Sequence, residues 1–189
     1  MRKIVISLHT SLDGFVAGPH GEMDWIKLDD EMFDLVGTFT NEADTALYGR
    51  VTYEMMQSYW PTAADKPNAS KHSVEHSRWY NRVQKVVISK TMKDAIIDKT
   101  TIISDNVDAE IEKLKNAEGK NIMIFGSPGA AHTLMEHNLI DEYWLFVNPI
   151  LLGEGIPVFS KIKSRINLEM INVVRFACGI TGLNYKVCR

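Results

Sequence analysis

Three short breaks in this chain carry residue types suited to holding phosphate. Gly126-Ser-Pro-Gly129-Ala130 follows the apolar run Asn121–Phe125 and opens a helix-like stretch, Ala130–His137. Two glycines and a proline let the backbone turn close to another group. A helix beginning on small residues offers free N–H groups and the positive end of its dipole to an anion. Gly49-Arg-Val-Thr52 repeats the arrangement after the strand-like Thr45–Tyr48, now with a guanidinium that grips phosphate through parallel hydrogen bonds. Ser89-Lys-Thr91, after Lys85–Ile88, adds hydroxyl, ammonium and hydroxyl. Taken singly, each reads equally well as a plain connection, a surface arginine paired with a carboxylate, or a solvated turn.

Together they say more. If the strands before them are parallel neighbours, all three breaks lie on one edge of a sheet, where open α/β folds bind ligands. A ligand with separated phosphates meets that arrangement. NADPH has a pyrophosphate for the glycine turn and a 2′-phosphate for Arg50 and Lys90. No G-x-G-x-x-G follows the first strand, and no acid follows the second to hold a ribose diol, so NADPH fits better than NADH.

The elements that must position these residues follow from periodicity. Lys3–Leu8 is a strand. Ser11 to Trp25 is a long loop with three glycines, the length of a lid or binding segment, with Trp25 placed to anchor it to the core. Leu28–Asn41 is an amphipathic helix with Leu28, Met32, Leu35, Val36 and Phe39 on its inner stripe, and Asp30 and Asp34 point away from that stripe. Arg50–Tyr59 is a helix with Val51, Met55 and Tyr59 inward. Asn68 caps a helix running to Val83, which contains His72-Ser-Val-Glu-His76. That spacing matches the H-x-x-E-H of inverted zinc peptidases, but a third ligand is missing and the surroundings read as a solvated helix; no metal site is expected. Thr101–Ser104 is a strand and Asp108–Asn116 a helix. Gly153-Glu154-Gly155 makes a tight loop that presents the carboxylate or its backbone. Asn167–Cys178 and Leu183–Val187 form an antiparallel hairpin at the sheet's margin.

Bulk numbers exclude several classes. A chain of 189 residues with 24% charged residues is expected to fold as one domain, residues 1–189. A net charge of −3 gives no basic footprint, so no nucleic-acid partner is expected. No apolar run of about eighteen residues exists, so no membrane partner is expected either. Met1-Arg-Lys leads directly into strand-like residues, giving the expectation of no signal peptide and a cytoplasmic protein. Cys178 and Cys188 have neither metal nor redox spacing and read as reduced thiols.

In order along the chain stand Ser11-Leu-Asp-Gly14, the loop closing on Trp25, Tyr48-Gly-Arg-Val-Thr52, Ser89-Lys-Thr91, Gly126-Ser-Pro-Gly129 and Pro149-Ile-Leu-Leu-Gly-Glu-Gly155. In this order they resemble the dihydrofolate reductase-like superfamily, specifically the group of the riboflavin-biosynthesis reductase domain. The resemblance implies a three-layer α/β/α fold with a mixed, mostly parallel sheet of about eight strands and a C-terminal antiparallel hairpin. It implies NADPH along the sheet's carboxyl edge, reduction of a small heterocycle as in 5-amino-6-(5-phosphoribosylamino)uracil reductase, and a homodimer. Carried over, Gly49, Arg50, Thr52, Ser89, Lys90, Thr91, Gly126, Ser127, Pro128, Gly129 and Ala130 hold the cofactor. Asp13, Trp25 and Glu154 face the substrate, with Asp13 the first candidate for proton delivery and Glu154 the second.

Departures keep alternatives open. Folate reductases carry an inward acid on the first helix, which this helix lacks. Ser127 and Pro128 separate the family's glycine pair, and no deaminase module with zinc spacing is present. A non-catalytic NADPH-binding protein, a dihydrofolate reductase-type enzyme and a flavin carrier therefore remain beside the reductase.

Overall fold

Alternation along the strands sorts this chain's apolar residues onto two faces of one sheet. The computed structural model describes Met1–Arg189 in full. Its elements run β1 (Ile4–Thr10), β2 (Phe15–Ala17), α1 (Asp30–Asn41), β3 (Ala43–Gly49), α2 (Arg50–Tyr59), a 3-10 turn (Trp60–Asp65), α3 (Lys71–Arg82), β4 (Gln84–Ile88) and β5 (Thr100–Ile103). Then come α4 (Val107–Asn116), β6 (Asn121–Phe125), α5 (Pro128–Glu136), β7 (Glu142–Val147), β8 (Ile156–Pro157), β9 (Asn167–Arg175) and β10 (Thr181–Cys188).

Eight strands make the main sheet in the order β5-β4-β3-β6-β1-β7-β10-β9. Pairing is parallel from β5 through β7 and antiparallel for β7–β10 and β10–β9. Ile4, Ile6, Leu8, Ile122 and Ile124 meet α4 and α5 through Ile111, Ala131 and Leu134. Val5, Met123, Phe125 and Tyr48 meet α1 and α3 through Met32, Phe39, Trp79 and Tyr80. The fold is three-layer α/β/α with a C-terminal antiparallel hairpin, as the sequence implies. Each fully buried side chain of this kind contributes about 1.5–3 kcal/mol.

Some boundaries shift. Helix α1 starts at Asp30, capped by Asp29 Oδ1, which accepts from Met32 N at 2.8 Å, and Leu28 lies outside it, exposed. Ser70, not Asn68, caps α3: its Oγ accepts from Ser73 N at 3.1 Å, while Asn68 turns the chain at φ 61°. The loop from Ser11 to Trp25 contains β2, which pairs antiparallel with β8. Gly155 permits that pairing. At φ +155° it lies so close to Ala17 that an added Cβ would stand 2.2 Å from the Ala17 carbonyl oxygen.

A buried ion pair closes the opposite, amino-terminal edge of the sheet. Lys115 Nζ lies 2.7 Å from Asp141 Oδ2, which also accepts from Ile4 N at 2.8 Å. Arg189 donates to the other oxygen. Burial pushes the Asp141 carboxyl up, but bonds from Lys115 and Arg189 outweigh it and hold the group below its ordinary value. A depressed carboxyl contributes stability above its unfolded value near 3.8, lost as pH falls through the folded value. Asp141→Asn strands the Lys115 ammonium and is expected to cost about 3 kcal/mol in urea unfolding at pH 7. The variant's deficit should shrink as the pH is taken below 4; a deficit constant with pH would contradict this account. Gly155→Ala is expected to lower the thermal midpoint by separating β2 from β8, which differential scanning calorimetry reads directly.

Candidate functional site

Parallel pairing places the carboxyl ends of β4, β3, β6 and β1 side by side, and a cavity of about 820 Å³ opens over them. Its lining includes Gly49, Arg50 and Thr52 from the break after β3, and Gly126 to Ala130 from the break after β6. The two breaks touch. Ser127 Oγ accepts the Gly49 N–H at 2.7 Å.

That bond bears on anion binding. Ser127 stands at the N-cap of α5 and Gly49 at the N-cap of α2, and neither side chain caps its own helix. Asp29 and Ser70 do cap α1 and α3. So α2 and α5 leave their first N–H groups without side-chain acceptors at one cavity, each with its dipole's positive end. Gly126 and Ser127 both take left-handed conformations, φ 67° and 58°, to swing the chain from strand to helix. A Cβ on Gly49 would lie 3.5 Å from Ala130 N, over one of those free donors. Glycine there keeps the donor uncovered, so the residues fit a dinucleotide's phosphates.

Arg50 is the sole Lys or Arg in the lining, and its guanidinium pairs with Glu54 at 2.9 Å, both partly exposed. A phosphate has only a weak, solvated partner to displace there. Ser89, Lys90 and Thr91 share the sheet edge, but Ile88 is the residue of that strand that reaches the cavity wall. Ser89 Oγ accepts from Thr91 N at 3.3 Å and Met92 N at 3.2 Å, closing its own turn, and Lys90 is exposed.

The residues expected on the substrate side lie elsewhere. Asp13, Glu154 and Trp25 are all absent from the cavity lining. Asp13 accepts from Gly153 N at 2.8 Å and Leu152 N at 3.1 Å. Hydrogen bonds from Ser11 and then Gly153 hold its pKa down to about 2. Its observed part is to tie the Ser11–Gly14 turn to the Leu152–Gly153 turn, beside the Leu12 N to Ile150 O bond of 2.8 Å. Glu154 is exposed between its glycines. Trp25 is half-buried and donates Nε1–H to the Glu22 carbonyl at 3.1 Å, fastening its own loop.

Other residues form the walls. Leu28, Met32, Phe33 and Val36 from the α1 side face Val51, Met55, Met56 and Trp60 from the α2 side. Val51 and Met55 are exposed, not inward as their spacing suggests, and Tyr53 is the α2 residue buried in the core. His72 and His76 also line the cavity, so that face of α3 is not solvated. His76 packs against Trp60, Trp79 and Phe125, and burial pushes its pKa down to about 4. His72 lies 3.7 Å from Asp30 and 3.8 Å from Asp34, whose carboxylates remain outside the cavity lining. His9 stacks on Phe146 at the end of β1. His9 was legible in principle, since it shares strand parity with Val5 and ends a strand at the ligand edge.

Known proteins are similar to this chain in sequence or in fold. An uncharacterised Bacillus subtilis protein, YyaP, is 36% identical over 186 residues, covering 97% of this chain and 94% of its own. A protein from Shewanella sp. PV-4, described as a riboflavin biosynthesis candidate, superposes with a TM-score of 0.73 at 25% identity over the whole of both chains. The Thermotoga maritima diaminohydroxyphosphoribosylaminopyrimidine deaminase/5-amino-6-(5-phosphoribosylamino)uracil reductase gives 0.67 at 16% identity, over 99% of this chain and 57% of that one. Enterococcus faecalis dihydrofolate reductase, complexed with NADP(H), gives 0.64 at 13% over 99% and 97%. The last two likenesses speak for the fold alone. A model of the RibD C-terminal domain family matches residues 2–181, and the chain belongs to that family.

Proposed function

We propose that this protein is an NADPH-dependent reductase of a small heterocyclic compound. One observation carries the reading: two helix N-termini, joined through Ser127 and Gly49, open without side-chain caps on the same cavity, with Arg50 beside them. The family is one of riboflavin-type reductases, and a structural neighbour on the same fold is complexed with NADP(H).

In this reading the N–H groups of Gly129 and Ala130 take the pyrophosphate. Arg50 takes the 2′-phosphate by exchanging its Glu54 partner for a dianion. Thr52 lines the same cavity, and Ser89, Lys90 and Thr91, outside its lining on the same sheet edge, are left to the cofactor's far end. The bound cofactor supplies the hydride. The chain's own work is to hold the acceptor against it and keep water out, and the α1 and α2 walls supply apolar surface for both tasks. Folate-type reduction is disfavoured because Asp30 and Asp34 stand outside the cavity lining.

We further propose a homodimer through the hairpin. Strand β9 is the outermost strand of the sheet, and Leu168, Met170, Ile171 and Val173 on it are all exposed. An apolar edge of that length is a template for association.

Arg50→Ala is expected to weaken NADPH by about tenfold or more and NADH by much less, read by quenching of protein fluorescence. Equal losses for both would remove the 2′-phosphate assignment. Saturable NADPH binding without oxidation, over a panel of pteridine, pyrimidine and quinone acceptors, would favour a binding protein over an enzyme. Light scattering coupled to gel filtration should give twice the chain mass, and Met170→Lys should shift it toward one chain; a monomeric native protein would refute the hairpin interface.

A further inference from the structure

Beyond the phosphate-holding edge, the cavity has a second half whose polar chemistry is small and specific. Asn148 is buried, and its side-chain orientation is settled by its neighbours. Its Oδ1 accepts from Lys27 N at 3.1 Å, so its Nδ2 faces the Phe146 carbonyl at 3.0 Å, with the Thr10 carbonyl and His9 Nδ1 each at 3.4 Å. Where one of those N–H groups turns to His9, Nδ1 is the unprotonated acceptor. This contact points to the neutral tautomer that carries its proton on Nε2. Burial pushes the His9 pKa down to about 4, which keeps the ring neutral near pH 7. His9 lines the cavity, and no protein group accepts from its Nε2.

The cavity's apolar lining includes Met23, Ile26, Met32, Phe33, Val36 and Met56. His76 adds a second neutral imidazole, its Nε2 buried without a partner. Apart from histidines, the charged side chains of the whole lining are Arg50, assigned above to the cofactor, and Glu75, an acid. A phosphate carried by the substrate would find Arg50, assigned to the cofactor, as the lining's one Lys or Arg, and Glu75, exposed and 4.0 Å from Lys71, as its one acid.

We propose that this half of the cavity takes a flat, uncharged ring compound whose carbonyl or ring nitrogen accepts from His9 Nε2–H, and that it discriminates against acceptors carrying their own phosphate. The proposal rests on the reductase reading for the use of Arg50, and it makes His9 a specificity-determining residue. Asn148 is its positioning residue, because it decides which imidazole nitrogen bears the proton. A carboxylate on α1 is not needed to recognise such a ring, consistent with Asp30 and Asp34 standing outside the lining.

The test titrates the full chain with lumazine, a flat bicyclic dione, and with uridine 5′-monophosphate, each with and without saturating NADPH. Calorimetry reads both probes, and NADPH binding is measured separately. Lumazine is expected to bind at least about tenfold tighter than the nucleotide. His9→Leu should weaken lumazine by about tenfold, the scale of one lost hydrogen bond, with NADPH affinity unchanged. His9→Gln, which keeps an N–H donor, should recover most of that loss, which a merely structural role for His9 would not produce. Tighter binding of the nucleotide, binding of neither probe, or indifference of lumazine to His9→Leu would overturn the proposal. Loss of NADPH binding with the lumazine preference intact would count against the reductase reading and leave the ring site standing.

Discussion

Parallel pairing of β3, β6 and β1 is the constraint from which the rest of the structure follows. Parallel neighbours must each return through a crossover, so every strand-to-helix turn leaves from one edge. The turns after β3 and β6 then stand close enough for Ser127 Oγ to reach Gly49 N. An antiparallel order would have sent one break to each end of the sheet, and the same residue types would have made two unrelated turns. The twofold layering serves the same end. Helices α4 and α5 cover one face, while α1 and α3 cover the other and, with α2, leave a slot over the strand ends.

Much of this was readable because it is local. A strand's alternation, a glycine at its end and an apolar stripe in the next helix are all set within about a dozen residues. What the sequence hides is partnership across distance. Strand β2 is three residues long and gains its identity from Ile156–Pro157, far along the chain, through the close approach that Gly155 allows. Asp13 likewise looks like a loop acid until Leu152 and Gly153 are seen donating to it. Periodicity also cannot tell a core from a cavity wall. Val51 and Met55 sit at helical spacing, yet Val51 is 69% exposed, because the surface it faces is the slot and not the sheet. The polar neighbours of His72 and His76 mislead for the converse reason: the helix is wet on one side and lines the cavity on the other.

The histidines show how environment assigns one residue type to different work. His132 Nε2 lies 2.9 Å from the Pro157 carbonyl and 3.2 Å from that of Val158, so it ties α5 to the segment at β8. His76 is packed among aromatic rings without a polar partner on Nε2, where a charged ring would be costly. His9 is constrained at Nδ1 alone. A sequence reader sees identical side chains, because the partners that separate them are backbone carbonyls and the N–H groups of a distant amide.

An exposed apolar wall has a further consequence for energetics. Val51, Met55 and Leu28 remain in contact with solvent while the core residues of α1 and α3 do not. Apolar wall left in contact with solvent forgoes hydrophobic stabilisation at about 25 cal/mol per Å², which any ligand that covers it would recover. That recovery is indifferent to charge pattern and favours flat apolar surface. The uncapped N-termini of α2 and α5 follow the opposite principle, since free N–H groups lose little by staying hydrated and would gain most from an anion. Two chemistries of recognition thus divide one cavity, and the division follows from where the strands stop and the helices begin.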